Sequence, residues 1–254
     1  MEFLRSVAFQ ICSLFYICML IFLYFSKKRI KTDETKIFSC LLICNLIGLF
    51  LDVSSVYTIA HIDKVPILNF VISKGYLIYL LTWITMFTYY IFILSKMGKE
   101  FTNRVVYINT IRKILYVCYF IFLILTLLLP LYYSTEIGNI YSYGPATSVL
   151  YVYSGGCILL WIIILLKNFK NIQRIKCLPI FAYMLLGVIV VFVQLFNPDI
   201  LLMTSMETFV IFIMYHTIEN PDVKMINQLE LAKEQADKAN QAKTDFLSSM
   251  SHEI

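Results

Sequence analysis

The sequence predicts an all-α membrane protein: a seven-transmembrane helix bundle with its N-terminus outside, followed by a cytoplasmic coiled-coil helix. Three observations carry this expectation. Hydrophobic residues make up 60% of the 254 and charged residues only 15%, with a mean hydropathy of +0.78, far outside the range of a soluble domain. Seven apolar stretches each approach the roughly 20 residues needed to cross a hydrocarbon core. Lysine and arginine gather in alternate linkers, and a heptad pattern replaces the apolar runs beyond residue 220.

The stretches are 6–25, 38–60, 67–94, 114–131, 148–166, 178–196 and 200–218. The first is long enough to span and is followed at once by Lys27, Lys28, Arg29 and Lys31, so it reads as a retained helix and not a cleaved leader. The last two are separated only by Asn197-Pro198-Asp199, and Pro198 forces a hairpin between them. Linkers 27–36, 96–113 and 167–176 carry five, five and four basic residues, against Arg5, Lys64 and Lys74 on the other side. Positive loops stay in the cytoplasm, which sets the orientation and puts the tail there too. The net charge of +5 therefore marks one face of a bilayer and implies no nucleic-acid partner. Cys12, Cys18, Cys40, Cys44, Cys118, Cys157 and Cys177 lie in or beside apolar runs, and neither disulfides nor a metal site is expected.

Loop 131–147 has two tyrosine-rich runs flanking Glu-Ile-Gly-Asn, the pattern of a short β-hairpin on the outer face. Tyr132, Tyr133, Tyr141 and Tyr143 then form either an interfacial aromatic belt or a ligand-contacting lid. Three charges fall inside spans: Asp52 eight residues before the outer end of the second, Lys74 seven after that of the third, Glu207 seven after that of the seventh. At 1.5 Å per residue they share a depth of about 10–12 Å. Charge at that depth must pair or reach water, so the three predict a common polar cavity for the stimulus or its coupling switch, or else simple mutual neutralisation. The seventh span contains no lysine, which removes a retinal Schiff base. No paired broken helices of the transporter kind are visible. His61 and His216 read as interfacial and packing residues.

Beyond the seventh span, Glu219-Asn220-Pro221-Asp222 ends one helix and starts another, with Asn220 as N-cap, Pro221 in the first turn and Asp222 at the positive end of the dipole. Met225, Leu229, Ala232, Ala236, Ala239, Lys243, Phe246 and Met250 follow at alternating steps of four and three, a narrow seam suited to a two-stranded coiled coil. Its alanines bury little, each missing CH₂ costing about 0.8 kcal/mol, so the seam is weak and its packing easily shifted. The competing reading is a solvated single helix supported by the Glu234–Lys238 pair.

The closing residues, Phe246-Leu247-Ser248-Ser249-Met250-Ser251-His252-Glu253-Ile254, resemble the H-box that opens the phosphoacceptor domain of bacterial sensor histidine kinases. Less specifically, the Tyr-Gly-Pro at 143–145 and the Glu-Asn-Pro-Asp at 219–222 resemble the seven-span sensor regions that precede some of those kinases. The resemblance implies a sensor region (1–218), a coiled-coil signal helix (219–243) and the start of a dimerisation and phosphoacceptor domain (244–254). It implies His252 as the phosphoryl acceptor and Glu253 as its general base or orienting group. It further implies a homodimer in a bacterial plasma membrane and a response regulator as partner. ATP and Mg²⁺ would be the cofactors of the complete kinase, since no phosphate-binding loop or Mg²⁺ cluster stands in these residues. The alternative is a non-enzymatic receptor or transporter with a dimerising tail.

Overall fold

The computed structural model describes residues 7–30, 32–95, 101–136, 139–168, 174–197 and 201–252. The order is α1 (Ala8–Ser26), α2 (Asp33–Ala60), α3 (Pro66–Ser95), α4 (Phe101–Leu128), β1 (Tyr132–Glu136), β2 (Asn139–Tyr143), α5 (Pro145–Asn168), α6 (Arg174–Phe196) and α7 (Met203–Met214). A π-helical segment (Tyr215–Glu219) follows, then α8 (Pro221–His252). Among the described residues six helices are long and apolar enough to cross a membrane, α1 to α6 in whole or in part. The chain is a mostly helical membrane protein. The expected seventh span is shorter than the others and changes from α to π geometry before it ends.

Local chemistry sets most helix ends. Thr32 caps α2, its hydroxyl accepting from the Thr35 amide at 3.3 Å, and Asp33 and Glu34 lie in the first turn against the positive dipole end. These residues extend α2 five positions before the apolar stretch. Pro66 opens α3, and Pro145 opens α5, at a position where a missing N–H costs nothing. Before Pro145, Gly144 has φ +122, and a Cβ there would stand 2.9 Å from the Tyr132 ring, so glycine is required. Its carbonyl accepts from the amides and hydroxyls of Thr147 and Ser148 and so ties the hairpin to α5. The hairpin pairs Tyr132 with Tyr143 and Ser134 with Tyr141. It lies over the ends of α2 and α5.

The bundle is built around α3. Of its spanning window 78% is buried, against 39% or less for the other five helices. Lipid is as apolar as leucine, so packing and interhelical hydrogen bonds must hold such a bundle. In α3 a threonine ladder makes those bonds. Thr82, Thr85 and Thr88 each donate to their own i−4 carbonyl. That leaves lone pairs for Tyr119 of α4 (3.0 Å), Tyr153 of α5 (2.6 Å) and Trp161 of α5 (3.0 Å). Steps of three turn each threonine about 60° from the last, so the ladder sweeps from α4 to α5. Beside it, Trp83 and Phe87 of α3 stack on Tyr183 of α6 at 5.4 Å. Outward-facing Phe15, Phe22, Ile67 and Leu128 are more than 70% exposed, as a lipid-facing surface requires.

Between α2 and α3, the Tyr79 ring packs directly against Gly48. A Cβ at Gly48 would come within 1.9 Å of Tyr79 Cζ. Gly48→Ala should therefore destabilise the bundle by at least the about 1–3 kcal/mol typical of overpacking, read as a lower thermal midpoint in detergent. Gly156→Ala, where a Cβ meets nothing within 4 Å, should match or exceed the parent.

Candidate functional site

Two buried polar networks and one exposed helix make up the candidate site. The first network lies at the hairpin end and joins α1, α2, α3 and α7. Asp52 Oδ2 accepts from Thr204 Oγ1 at 2.5 Å and Gln10 Nε2 at 3.3 Å, while Gln10 also donates to the Leu201 carbonyl at 2.7 Å. One turn further along α7, Glu207 takes a short hydrogen bond from the Tyr79 hydroxyl. That hydroxyl lies 3.0 Å from Asn45 Oδ1, and Asn45 Nδ2 donates to Thr208 at 2.8 Å. Asp52, Asn45, Thr204 and Glu207 are all essentially inaccessible. Gly48 is what allows the Tyr79 ring to cross α2 and reach Glu207.

Asp52 and Glu207 thus fall in adjoining parts of one network, as their shared depth suggested. Lys74 is buried nearby but goes elsewhere: its Nζ donates to the carbonyls of Thr126 (2.6 Å) and Leu129 (2.5 Å) at the end of α4. The last carbonyls of a helix lack intrahelical partners and carry its negative dipole end, so they compete well for an ammonium. Among the described residues no ion pair joins Lys74 to either carboxylate. Of the hairpin tyrosines, Tyr132 and Tyr143 pack on each other at 5.8 Å and are half exposed, and Tyr141 lines a cavity beneath. Tyr133 is partly buried, which raises its phenol above the ordinary pKa.

The second network lies at the opposite end of the bundle, where α8 leaves it at the Glu-Asn-Pro-Asp stretch, which the sequence marked only as a helix break and a point of resemblance. Glu219, the last π-helical residue, is buried. It accepts from Tyr90 of α3 at 2.8 Å, from Thr35 of α2 at 3.3 Å and from Lys224 of α8 at 2.6 Å. Lys224 also reaches Thr35 at 3.0 Å. One carboxylate therefore binds two bundle helices to the helix that departs. Beside it Asp222 forms an ion pair with Lys27 just after α1, which raises the Lys27 ammonium above its usual pKa. Asn220 Oδ1 accepts from the Asp222 amide at 3.1 Å, the expected N-cap.

From Pro221 the chain continues as one helix to His252, the final described residue. Glu253 lies outside the described residues. Met225, Leu229 and Phe246 of the heptad seam are exposed in the single chain, and the Glu234–Lys238 pair forms at 2.7 Å. His61 packs on Tyr57 at 4.6 Å, and His216 on Phe212 at 4.3 Å. All seven cysteines are free thiols, and among the described residues no cluster could hold a metal ion. No family model, no curated protein and no solved structure matches the chain.

Sequence reasoning missed Gln10, Asn45, Tyr79 and Thr204 as partners and gave no role to Thr35, Tyr90 or Lys224. A usable signal was there for Gln10 and Asn45, amides inside apolar runs. Glu219 was taken only as part of a helix break. Lys224→Met removes a charged partner from a buried carboxylate, a loss of about 1.5–3 kcal/mol. Amide exchange over residues 215–226 should accelerate at least about tenfold, while exchange in α3 between Thr82 and Thr88 stays unchanged.

Proposed function

We propose that the protein is the membrane sensor of a two-component system, relaying a stimulus from the bundle to His252. The observation that carries the reading is the Glu219 junction, which fastens α8 to α2 and α3 at the point where the helix that runs to His252 departs. The H-box resemblance of residues 246–254 supplies the chemistry. The gathering of basic residues in linkers 27–36, 96–113 and 167–176 favours an exit on the cytoplasmic side of a bacterial plasma membrane, where ATP is found.

In this reading α7 acts as the seventh span, and the π segment is the joint. π-helical turns sit often at functional positions, each accommodating one extra residue. Return of the segment to α geometry would turn α8 by about 100° about its axis. The Glu219–Lys224 contact would hold one setting and its loss release the other. Two copies of α8 would meet along Met225, Leu229, Ala232, Ala236 and Ala239, whose weak apolar seam suits a pairing that can shift. The exposure of Met225, Leu229 and Phe246 in the single chain supports a partner there.

The reaction would be attack of a neutral His252 imidazole nitrogen on the γ-phosphorus of ATP, held with Mg²⁺ by a catalytic domain. An N–P bond forms, the bond to the ADP oxygen breaks, and Glu253 takes the ring proton. The phosphoryl group then passes to an aspartate of a response regulator. Membranes carrying the gene's complete product, incubated with γ-labelled ATP and Mg²⁺, should acquire acid-labile, alkali-stable label. His252→Gln should abolish it and His216→Gln should keep it; label that survives His252→Gln would refute the reading.

A further inference from the structure

Between α2, α3, α5, α6 and the hairpin lies a cavity of about 870 Å³, within the about 300–1,000 Å³ usual for small-molecule sites. It exists because α5 and α6 touch over only a small area. On their facing sides Gly155 and Gly187 line it, and a Cβ at either would meet nothing within 4 Å. Its walls are mostly apolar, with Leu80, Ile158, Ile162 and Val191 among them and Ser55, Ser154 and Gln194 between, and Tyr141 of the hairpin also lines it. Tyr183 also lines it and belongs to the aromatic cluster, stacked on Trp83 at 5.4 Å and edge-on to Trp161 at 5.2 Å.

One carboxylate borders this lining. Asp52 borders the cavity and is fully buried. Its Oδ2 is occupied by Thr204 and Gln10, but its Oδ1 has no hydrogen-bond partner among the described residues, nor has the Tyr183 hydroxyl. The nearest charge of opposite sign by depth, Lys74, is committed to the carbonyls of Thr126 and Leu129. Glu207, in the adjoining network, adds a second acidic group without a basic partner among the described residues. A carboxylate at membrane depth is costly unless a cation or donor meets it.

We infer that the cavity binds a small amphiphilic cation. Its ammonium or guanidinium head donates to Asp52 Oδ1, and its apolar body lies between α5 and α6 against the aromatic cluster. A neutral alcohol of equal length gains the hydrogen bond without the charge, a fatty acid meets like charge, and a bare inorganic cation leaves the apolar walls unused. The inference names the stimulus class for the sensor proposed above. It rests on that reading only for its consequence, because binding is measured without phosphorylation.

Both tryptophans of the chain, Trp83 and Trp161, sit in the aromatic cluster beside Tyr183, so intrinsic fluorescence reports occupancy. The chain in phosphatidylcholine nanodiscs is titrated with dodecylammonium, dodecanol, dodecanoate and sodium chloride. Dodecylammonium should give a saturable change at concentrations at least tenfold below the other three. Asp52→Asn and Gly187→Leu, the second filling the space beside the open glycine, should each weaken it at least tenfold with the circular dichroism unchanged. His252→Gln should leave it intact, which separates this inference from the phosphorelay reading. Equal response to dodecanol or dodecanoate, saturation by sodium alone, or dodecylammonium binding that survives Gly187→Leu would each overturn it. That last arm holds even if Asp52→Asn fails to fold.

Discussion

A carboxylate buried away from water must be answered by the protein itself, and whatever answers it is fixed in place. The last bundle helix and its π extension carry two such groups, Glu207 and Glu219, about 18 Å apart along the helix axis at 1.5 Å per residue. α3 satisfies both, and α2 bonds beside the first and directly to the second. Tyr79 of α3 reaches Glu207, with Asn45 of α2 bonded to Thr208 beside it. At the other end Tyr90 of α3 and Thr35 of α2 reach Glu219. Between these anchors α7 buries Val210, Ile211 and Met214. The helix is thus clamped at both ends against one pair of neighbours, and the Glu219 clamp extends to α8 through Lys224.

The rest of the bundle follows from how little lipid contributes to holding helices together. Interhelical hydrogen bonds in membranes average about 0.6 kcal/mol, so α3 spreads several of them around its circumference through Thr82, Thr85 and Thr88. The tight seams are the ones that carry polar contacts or close glycine packing, as at Gly48 and Tyr79. Between α5 and α6, whose contact is small, the helices part and leave the cavity that Asp52 borders.

Six of the seven expected spans were legible because hydropathy integrates over about 20 residues and tolerates error at any one of them. Caps were legible where a short-range rule applies: Asn220 and Pro221 behave as their residue types demand, and the tyrosine runs around residues 137 and 138 form the paired strands that their alternation suggested. The early start of α4 at Phe101 was not, since the charged turns before residue 114 lie outside any apolar window. The depth of Asp52 and Glu207 could be counted along the chain. Their partners could not, because lateral order among helices leaves no trace in spacing. Lys74 illustrates this: its length and charge suggested the carboxylates, and backbone carbonyls invisible to composition took it instead.

The central claim is that the two clamps on α7 act as one, and a double-mutant cycle tests it. Thr204→Val disturbs the hairpin-end network, Lys224→Met disturbs the exit, and amide exchange of residues 221–226 reads the stability of the α8 junction in the parent, both single variants and the double variant. Sites this far apart with no shared partner are additive within about 0.3–0.5 kcal/mol. The account predicts a coupling of about 1 kcal/mol or more, with Thr204→Val alone already loosening the distant junction. Additivity, with exchange at residues 221–226 untouched by Thr204→Val, would contradict it.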